Sequence, residues 1–390
     1  MTKWRTRQNP DDHRVTTFEL YFDLVFVFAF TQVTAWIAHE HSALGVAQGL
    51  VLLGLLWWSW CSYTWLGNDL RADAGATLIG MIVAMVAVFL MALSIRDVWS
   101  DDVGAVAASV LVSGYIVLRA VHAALYLLAA SDDRHLRRQV LVTYCGAAAS
   151  IALLIVGATV GADARLGWWL AALVLDAGLT WVLAARVGGW RVRSASHFAE
   201  RFHLVVIVAL GESVVAIGVG AAGVPLDARL LVTAVIGILL SVALWWTYFR
   251  LDAEQLEHRL ALASGSERGR LATDGYTYLH FPLVAGIVVA AAGVEQTVAS
   301  LGDHGSESGA SAILLSGVAG FCAGAAALHR MAGGRAVILV GTTVVLAAAA
   351  ASGLLDDTPL TAAAMAALVL SAGAATTQRT AHRTQPLGTG

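Results

Sequence analysis

Ala74-Gly-Ala-Thr-Leu-Ile-Gly-Met-Ile-Val-Ala-Met-Val-Ala-Val-Phe-Leu-Met-Ala-Leu-Ser-Ile95 lies between Asp73 and Arg96 and contains no charged residue. At a rise of about 1.5 Å per residue, roughly 20 apolar residues cross the ~30 Å hydrocarbon layer of a bilayer as a helix. Lipid offers the backbone no hydrogen-bond partner, so such a stretch has to close its own ladder. Similar runs recur at Phe18–Ile37, Ala43–Leu66, Val103–Ala130, Gln139–Val160, Leu166–Ala185, Phe202–Ala222, Leu230–Phe249, Tyr276–Ala299, Ala310–Leu328, Ala336–Ala351 and Thr358–Ala375. The expected fold is therefore all-α, a polytopic transmembrane helix bundle of about 12 spans.

Composition agrees. The chain is 58% hydrophobic and 13% charged, whereas a soluble domain carries about 25% charged residues. No stretch between apolar runs is long enough to build a soluble core. The first run carries Glu19 and Asp23 and has no small-x-small site after it, so it reads as a permanent span and not as a cleaved leader. No basic patch with interleaved aromatics is present, which excludes nucleic acid as a partner. The partner is the lipid bilayer, with a small molecule or an ion as the candidate substrate; the oligomeric state is left open. No cofactor is expected. Cys61, Cys145 and Cys322 fall in apolar runs and read as small buried residues. His39-Glu40-His41 has no helix-based metal spacing, so no metal is expected either.

The basic residues alternate with the spans. Loops of one phase, both termini included, hold 20 of the 24 lysines and arginines, and the other phase holds only Arg96, Arg165 and Arg229. By the positive-inside rule both termini are cytoplasmic, in a bacterial cytoplasmic (inner) membrane. Trp57, Trp58, Trp60, Tyr63 and Trp65 in the second span, and Trp245, Trp246 and Tyr248 in the eighth, read as interface anchors.

Sliding the chain by 180 residues lays Phe18, Phe22, Leu24, Val25 and Ala29 over identical residues at 198–209. Trp-Trp pairs follow in both halves. Two parallel six-helix repeats are expected, related by an axis along the membrane normal, with a site between them. The division is a cytoplasmic N-terminal tail (1–17), a first transmembrane half (18–185), a cytoplasmic linker (186–201), a second half (202–375) and a cytoplasmic C-terminal tail (376–390).

Ionisable residues within spans are costly and mark function or pairing. The candidates for a substrate or ion path are Glu19 and Asp23, one turn apart on one face of the first span; Gln32 on its opposite side; Arg119 and His122 in the fourth; Asp176 in the sixth; His203 and Glu212 in the seventh; and His280 and Glu295 in the ninth. Glu212 or Asp176 could exchange a proton as access changes. Arg119 could neutralise Asp23 or Asp176, or bind an anion. Glu19, Glu200, His329 and Arg330, near span ends, read as snorkelling to the interface. Asp252, Glu254 and Glu257 read as a solvated extension of the eighth span.

Gly218-Val-Gly220-Ala-Ala-Gly223 matches the dinucleotide fingerprint by letters alone, because it ends an apolar helix instead of following a strand. Asn68, Asp69 and Asp73 resemble in kind the carboxylates that hold Mg²⁺ and diphosphate in membrane transferases, although their spacing matches such motifs poorly.

Two segments carry a family resemblance. Phe18-Glu-Leu-Tyr-Phe-Asp-Leu-Val-Phe-Val-Phe-Ala-Phe-Thr-Gln-Val33 resembles the opening signature of the bacterial low temperature requirement A (LtrA) family, and His197-Phe-Ala-Glu-Arg-Phe-His-Leu-Val-Val-Ile-Val-Ala-Leu-Gly-Glu212 its second signature. Tyr278-Leu-His-Phe-Pro282 and Trp245-Trp246 with Tyr248 are similar to the same family. The resemblance implies a polytopic membrane protein of a group named for a growth defect in the cold. It marks Glu19, Asp23, Glu200, Arg201, Glu212 and His280 as positions to test, without assigning them roles. The reading is a secondary transporter or permease, proton-coupled through these carboxylates, and not an enzyme. The alternatives are a membrane enzyme or accessory protein acting on lipid or an isoprenoid carrier, and a channel.

Overall fold

The structure is a computed structural model that describes residues 14–130, 134–187, 191–302 and 309–353, together with 361–362, 365–367, 369–370 and 373. Among them the regular elements are helices: α1 (Thr17–Glu40), α2 (Ala43–Asp69), α3 (Gly75–Ser94), α4 (Gly104–Ala129), α5 (Arg134–Thr159), α6 (Ala162–Val187), α7 (Ala195–Gly220), α8 (Ala228–Tyr248), α9 (Glu254–Leu262), α10 (Gly265–Leu271), α11 (His280–Ala299), α12 (Ala310–Met331) and α13 (Val337–Ser352). Two π-helical stretches, Phe249–Ala253 and Ala272–Tyr278, join α8 to α9 and α10 to α11. Nine helical segments of the described residues are long and apolar enough to cross a membrane, and α13 is a shorter apolar helix. The expected all-α polytopic bundle is what forms. Most of the twelfth expected span, and Lys3, Arg5, Arg7, Arg379 and Arg383, lie outside the described residues.

Helix limits follow local chemistry. Thr16 and Glu19 form a capping box at the start of α1: Glu19 N donates to Thr16 Oγ1 at 3.3 Å and Thr16 N donates to Glu19 Oε2 at 2.9 Å. Two otherwise orphaned donors are thereby satisfied. Asp227 caps α8 by accepting from Leu230 N at 2.9 Å. Pro282 sits in the first turn of α11, where its missing N–H leaves no gap in the ladder. The α7 helix begins at Ala195, seven residues before the expected span, so Arg201 is a helical residue and not part of a solvated linker.

The described residues fall into two compact units. The first is drawn from Met1–Trp36, Ala47–Phe202 and Ala263–Asp274, and the second from Ile37–Val46, His203–Leu262 and Gly275–Gly390. In the first unit α2 is buried over most of its length, while α3 turns Ile82, Val86, Phe89, Leu90 and Leu93 outward. Apolar surface this continuous is suited to lipid. In the second unit α11 is enclosed on nearly every side and lies against α12. Their contact is backbone on backbone: a Cβ at Gly286 would fall on Phe321 N, and one at Gly317 on Ala290 N. Small residues at such a seam let helices approach in lipid, where packing rather than water expulsion drives association.

Candidate functional site

In the first unit the two signature segments meet. Glu19 and Asp23, spaced i, i+4 on α1, face His197 and Arg201, spaced i, i+4 on α7. Glu19 Oε1 lies 3.1 Å from Arg201 Nη1 and 3.0 Å from His197 Nε2. Asp23 Oδ1 accepts from Arg201 Nη2 at 2.8 Å and from Trp60 Nε1 at 2.9 Å. The Arg201 guanidinium also stands over the Trp60 ring, 5.7 Å from its centroid. Arg201 is 0% exposed, Glu19 1% and Asp23 4%. The α2 helix makes room for this: a Cβ at Gly67 would come within 2.6 Å of Glu19 Oε1.

The protonation of His197 can be read from its neighbour. Asn68 Oδ1 accepts from Arg193 N at 2.7 Å, and Asn68 Nδ2 donates to Ser194 O at 2.8 Å. These two backbone partners fix which way the amide points. The same Nδ2 faces His197 Nδ1 at 3.4 Å, so Nδ1 accepts, and the ring proton sits on Nε2, donated to Glu19. His197 is thus neutral. The site then holds two carboxyl groups and one guanidinium, and when both acids ionise it carries one uncompensated negative charge. Burial makes such a charge costly.

A second polar site in the same unit is balanced. Arg119 Nη2 lies 3.3 Å from Asp176 Oδ1, and Tyr115 OH donates to Asp176 Oδ2 at 3.1 Å. Arg119 Nη1 donates to Ser62 Oγ at 3.1 Å, and its guanidinium covers the Tyr144 ring. His122 Nε2 donates to Ser62 O at 2.8 Å and its Nδ1 accepts from Tyr144 OH. Of the two partners open to Arg119, the structure gives it Asp176; Asp23 belongs to Arg201.

In the second unit, His280 Nδ1 donates to Gly275 O and its Nε2 accepts from Tyr248 OH, each at 2.8 Å. His203 stands edge-on to Tyr248 and Phe249. His329 Nδ1 lies 2.8 Å from Asp252 Oδ1, and both residues are buried. Glu212 is buried and Glu295 is half-buried. Gln32 is half-buried in the first unit. Of the four deep residues, Arg119 and Asp176 pair with each other, Asp23 pairs with Arg201, and Glu212 belongs to the second unit.

Several expectations are corrected. Glu19 and His329 do not snorkel: Glu19 is buried against Arg201 and His329 against Asp252. Asp252 is not on a solvated extension, because the π-turn at Phe249–Ala253 directs it inward to His329. Trp57, Trp58, Trp60 and Tyr63 are 0–6% exposed and pack inside, Trp57 and Trp60 against Phe202 and Tyr63 against Phe22. Trp245 and Trp246, at 38% and 40% exposed, do suit an interface. Cys145 is exposed while Cys61 and Cys322 are buried. The acidic residues at the end of α2 are each met by an arginine: Asp69 by Arg193 Nε at 2.9 Å and Asp73 by Arg71 Nη2 at 3.0 Å. In the loop, Asp73 holds the Arg71 guanidinium above its ordinary value through its hydrogen bond and charge. No group of three or more His, Cys, Asp or Glu fit to hold a metal ion occurs among the described residues.

In the sequence His197 and Arg201 fall in the stretch 186–201 before the apolar run, and only Arg201 is marked, by the family resemblance. The available signal was register: His197 and Arg201 repeat on α7 the i, i+4 spacing of Glu19 and Asp23, with complementary chemistry.

The comparisons with known proteins agree with the quoted signatures. An uncharacterised protein of Rhizobium meliloti (strain 1021) is 28% identical over 310 residues, covering 76% of this chain and 73% of that protein. No solved structure matches the chain. The model of the bacterial low temperature requirement A protein (LtrA) matches residues 14–374, which include α1 through α13 and every residue of the buried site. The chain belongs to the bacterial low temperature requirement A family.

Proposed function

We propose that this membrane protein is a secondary transporter that couples movement of a small solute or ion to protons. The observation that supports the reading is the site in the first unit, where Glu19 and Asp23 share the single guanidinium of Arg201 and His197 is neutral. A buried site with one acid in excess changes its net charge by taking up one proton, and that is the property a coupling site needs. The Arg119–Asp176 pair, already neutral, is read as holding α4 to α6. The charge bias of the loops supports placing the protein in the bacterial cytoplasmic membrane with both termini inside.

The lipid-acting alternative draws no support from the end of α2, where Arg193 and Arg71 occupy the carboxylates a metal would need. Reconstitution into liposomes loaded with a pH-sensitive dye tests the transport reading. Solute gradients from a broad panel are expected to drive proton flux that Asp23→Asn abolishes and Arg119→Lys largely keeps. Absence of flux across the panel, or equal flux in wild type and Asp23→Asn, would overturn it.

A further inference from the structure

We infer that the site's proton is bound at one atom, Asp23 Oδ2, with Glu19 remaining a carboxylate. The inference rests on the proton-coupled reading above and names the group that carries out the coupling.

The two acids differ in how they are solvated by the protein. Glu19 receives donors on both oxygens: Thr16 N and Thr16 Oγ1 on Oε2, each at 2.9 Å, and His197 Nε2 on Oε1 at 3.0 Å, while Arg201 Nη1 stands 3.1 Å from Oε1 as an ion-pair partner. Three donors and a facing cation favour the anion of this carboxyl group. Asp23 is one-sided. Both of its donors, Arg201 Nη2 and Trp60 Nε1, fall on Oδ1. Oδ2 is buried and has no hydrogen-bond partner. An anionic oxygen in that position would be both desolvated and unmatched, whereas a hydroxyl there needs only an acceptor.

A neutral hydroxyl left without a partner costs less than a buried carboxylate oxygen left without one. The ionisable groups around Asp23 are Arg201, Glu19 and His197, and Trp60 donates to it. With His197 neutral and Glu19 anionic against Arg201, the odd charge is that of Asp23. Proton uptake forms the Oδ2–H bond, takes the net charge of the site from −1 to 0, and leaves the Trp60 and Arg201 contacts on Oδ1 in place.

Infrared difference spectroscopy of the detergent-solubilised full chain across a pH titration tests this without any transport substrate. A protonated carboxyl C=O band is expected that moves when carboxyl-labelled ¹³C-Asp replaces Asp, does not move with labelled Glu, and disappears in Asp23→Asn. Asp23→Glu, which keeps a carboxyl group at the position, is expected to restore a band that now answers to labelled Glu and guards against loss through misfolding. No Asp-labelled band in the wild type, or one that survives Asp23→Asn, would overturn the inference. The band present without proton flux in liposomes would sink the transport reading and leave the proton site standing. Flux without the band would do the reverse.

Discussion

Of the three arginines buried in the first unit, Arg165 donates to backbone carbonyls, while Arg119 and Arg201 meet acids and solve opposite problems. Arg119 meets one aspartate, and the rest of its surroundings are hydroxyl groups and a ring: Ser62, Tyr115 and Tyr144. Arg201 meets two acids and an indole, with a histidine whose tautomer is fixed by Asn68. The first arrangement is neutral and stays so. The second reaches neutrality only with a proton. Burying an ion pair adds little net stability, since desolvation offsets most of the attraction, so the pairs are better understood by what each charge count permits. One count gives a fixed strut, and the other gives a site with two states.

Removing the cation should separate them most. Arg201→Gln leaves two buried carboxyl groups facing each other and is expected to destabilise the fold by about 3–5 kcal/mol, seen as a lowered midpoint of thermal unfolding in detergent. Adding Asp23→Asn alone is expected to restore only part of the loss, and Glu19→Gln is needed as well. Arg119→Gln is expected to cost a similar amount, but Asp176→Asn alone should recover most of it. If one acid suffices to rescue both arginines, the contrast between the sites is broken. Trp60→Phe removes the indole donor from Asp23 and is expected to cost about 1.5–3 kcal/mol, the range for a hydrogen bond to a charged group; a shift in the pH dependence of the Asp23 carboxyl band would accompany it. Tyr115→Phe removes one of the two donors on Asp176, which keeps Arg119, and is expected to cost about 1.5 kcal/mol, with no change in proton flux in liposomes. A flux change there would make the Arg119 site part of the coupling path.

The fold was legible because the bilayer imposes one rule on every span: length and apolarity. The expected limits of α3 and α4 differ from the observed ones by one residue at each end. The site was only half legible. Glu19 and Asp23 stood out as acids in an apolar run. Their partners did not, because His197 and Arg201 precede the apolar run that starts at Phe202, and helices extend past such runs. The α7 helix starts at Ala195 because its first two turns are buried in protein and not in lipid, so polar residues are admissible there. The tryptophans of α2 misled for a related reason. A Trp near a span end suits the lipid interface equally well whether it faces out or in, and sequence spacing does not distinguish the two. What directs Trp60 inward is its hydrogen bond to Asp23, a contact between α1 and α2.

Glu19 and Asp23 are each 178 residues ahead of the α7 side chain they bind. At about 5–20 residues per second, a ribosome needs on the order of 10–40 s to cover that distance. The first helix is therefore made with two acids and no arginine to meet them; both lie in its first two turns, where an acid costs less than the ~2.5–3.5 kcal/mol of an Asp at the centre of a span. Until α7 is made, both acids have reason to stay protonated or to hold the start of α1 near the lipid surface. The order of synthesis puts the acids in place before the cation that pairs with them.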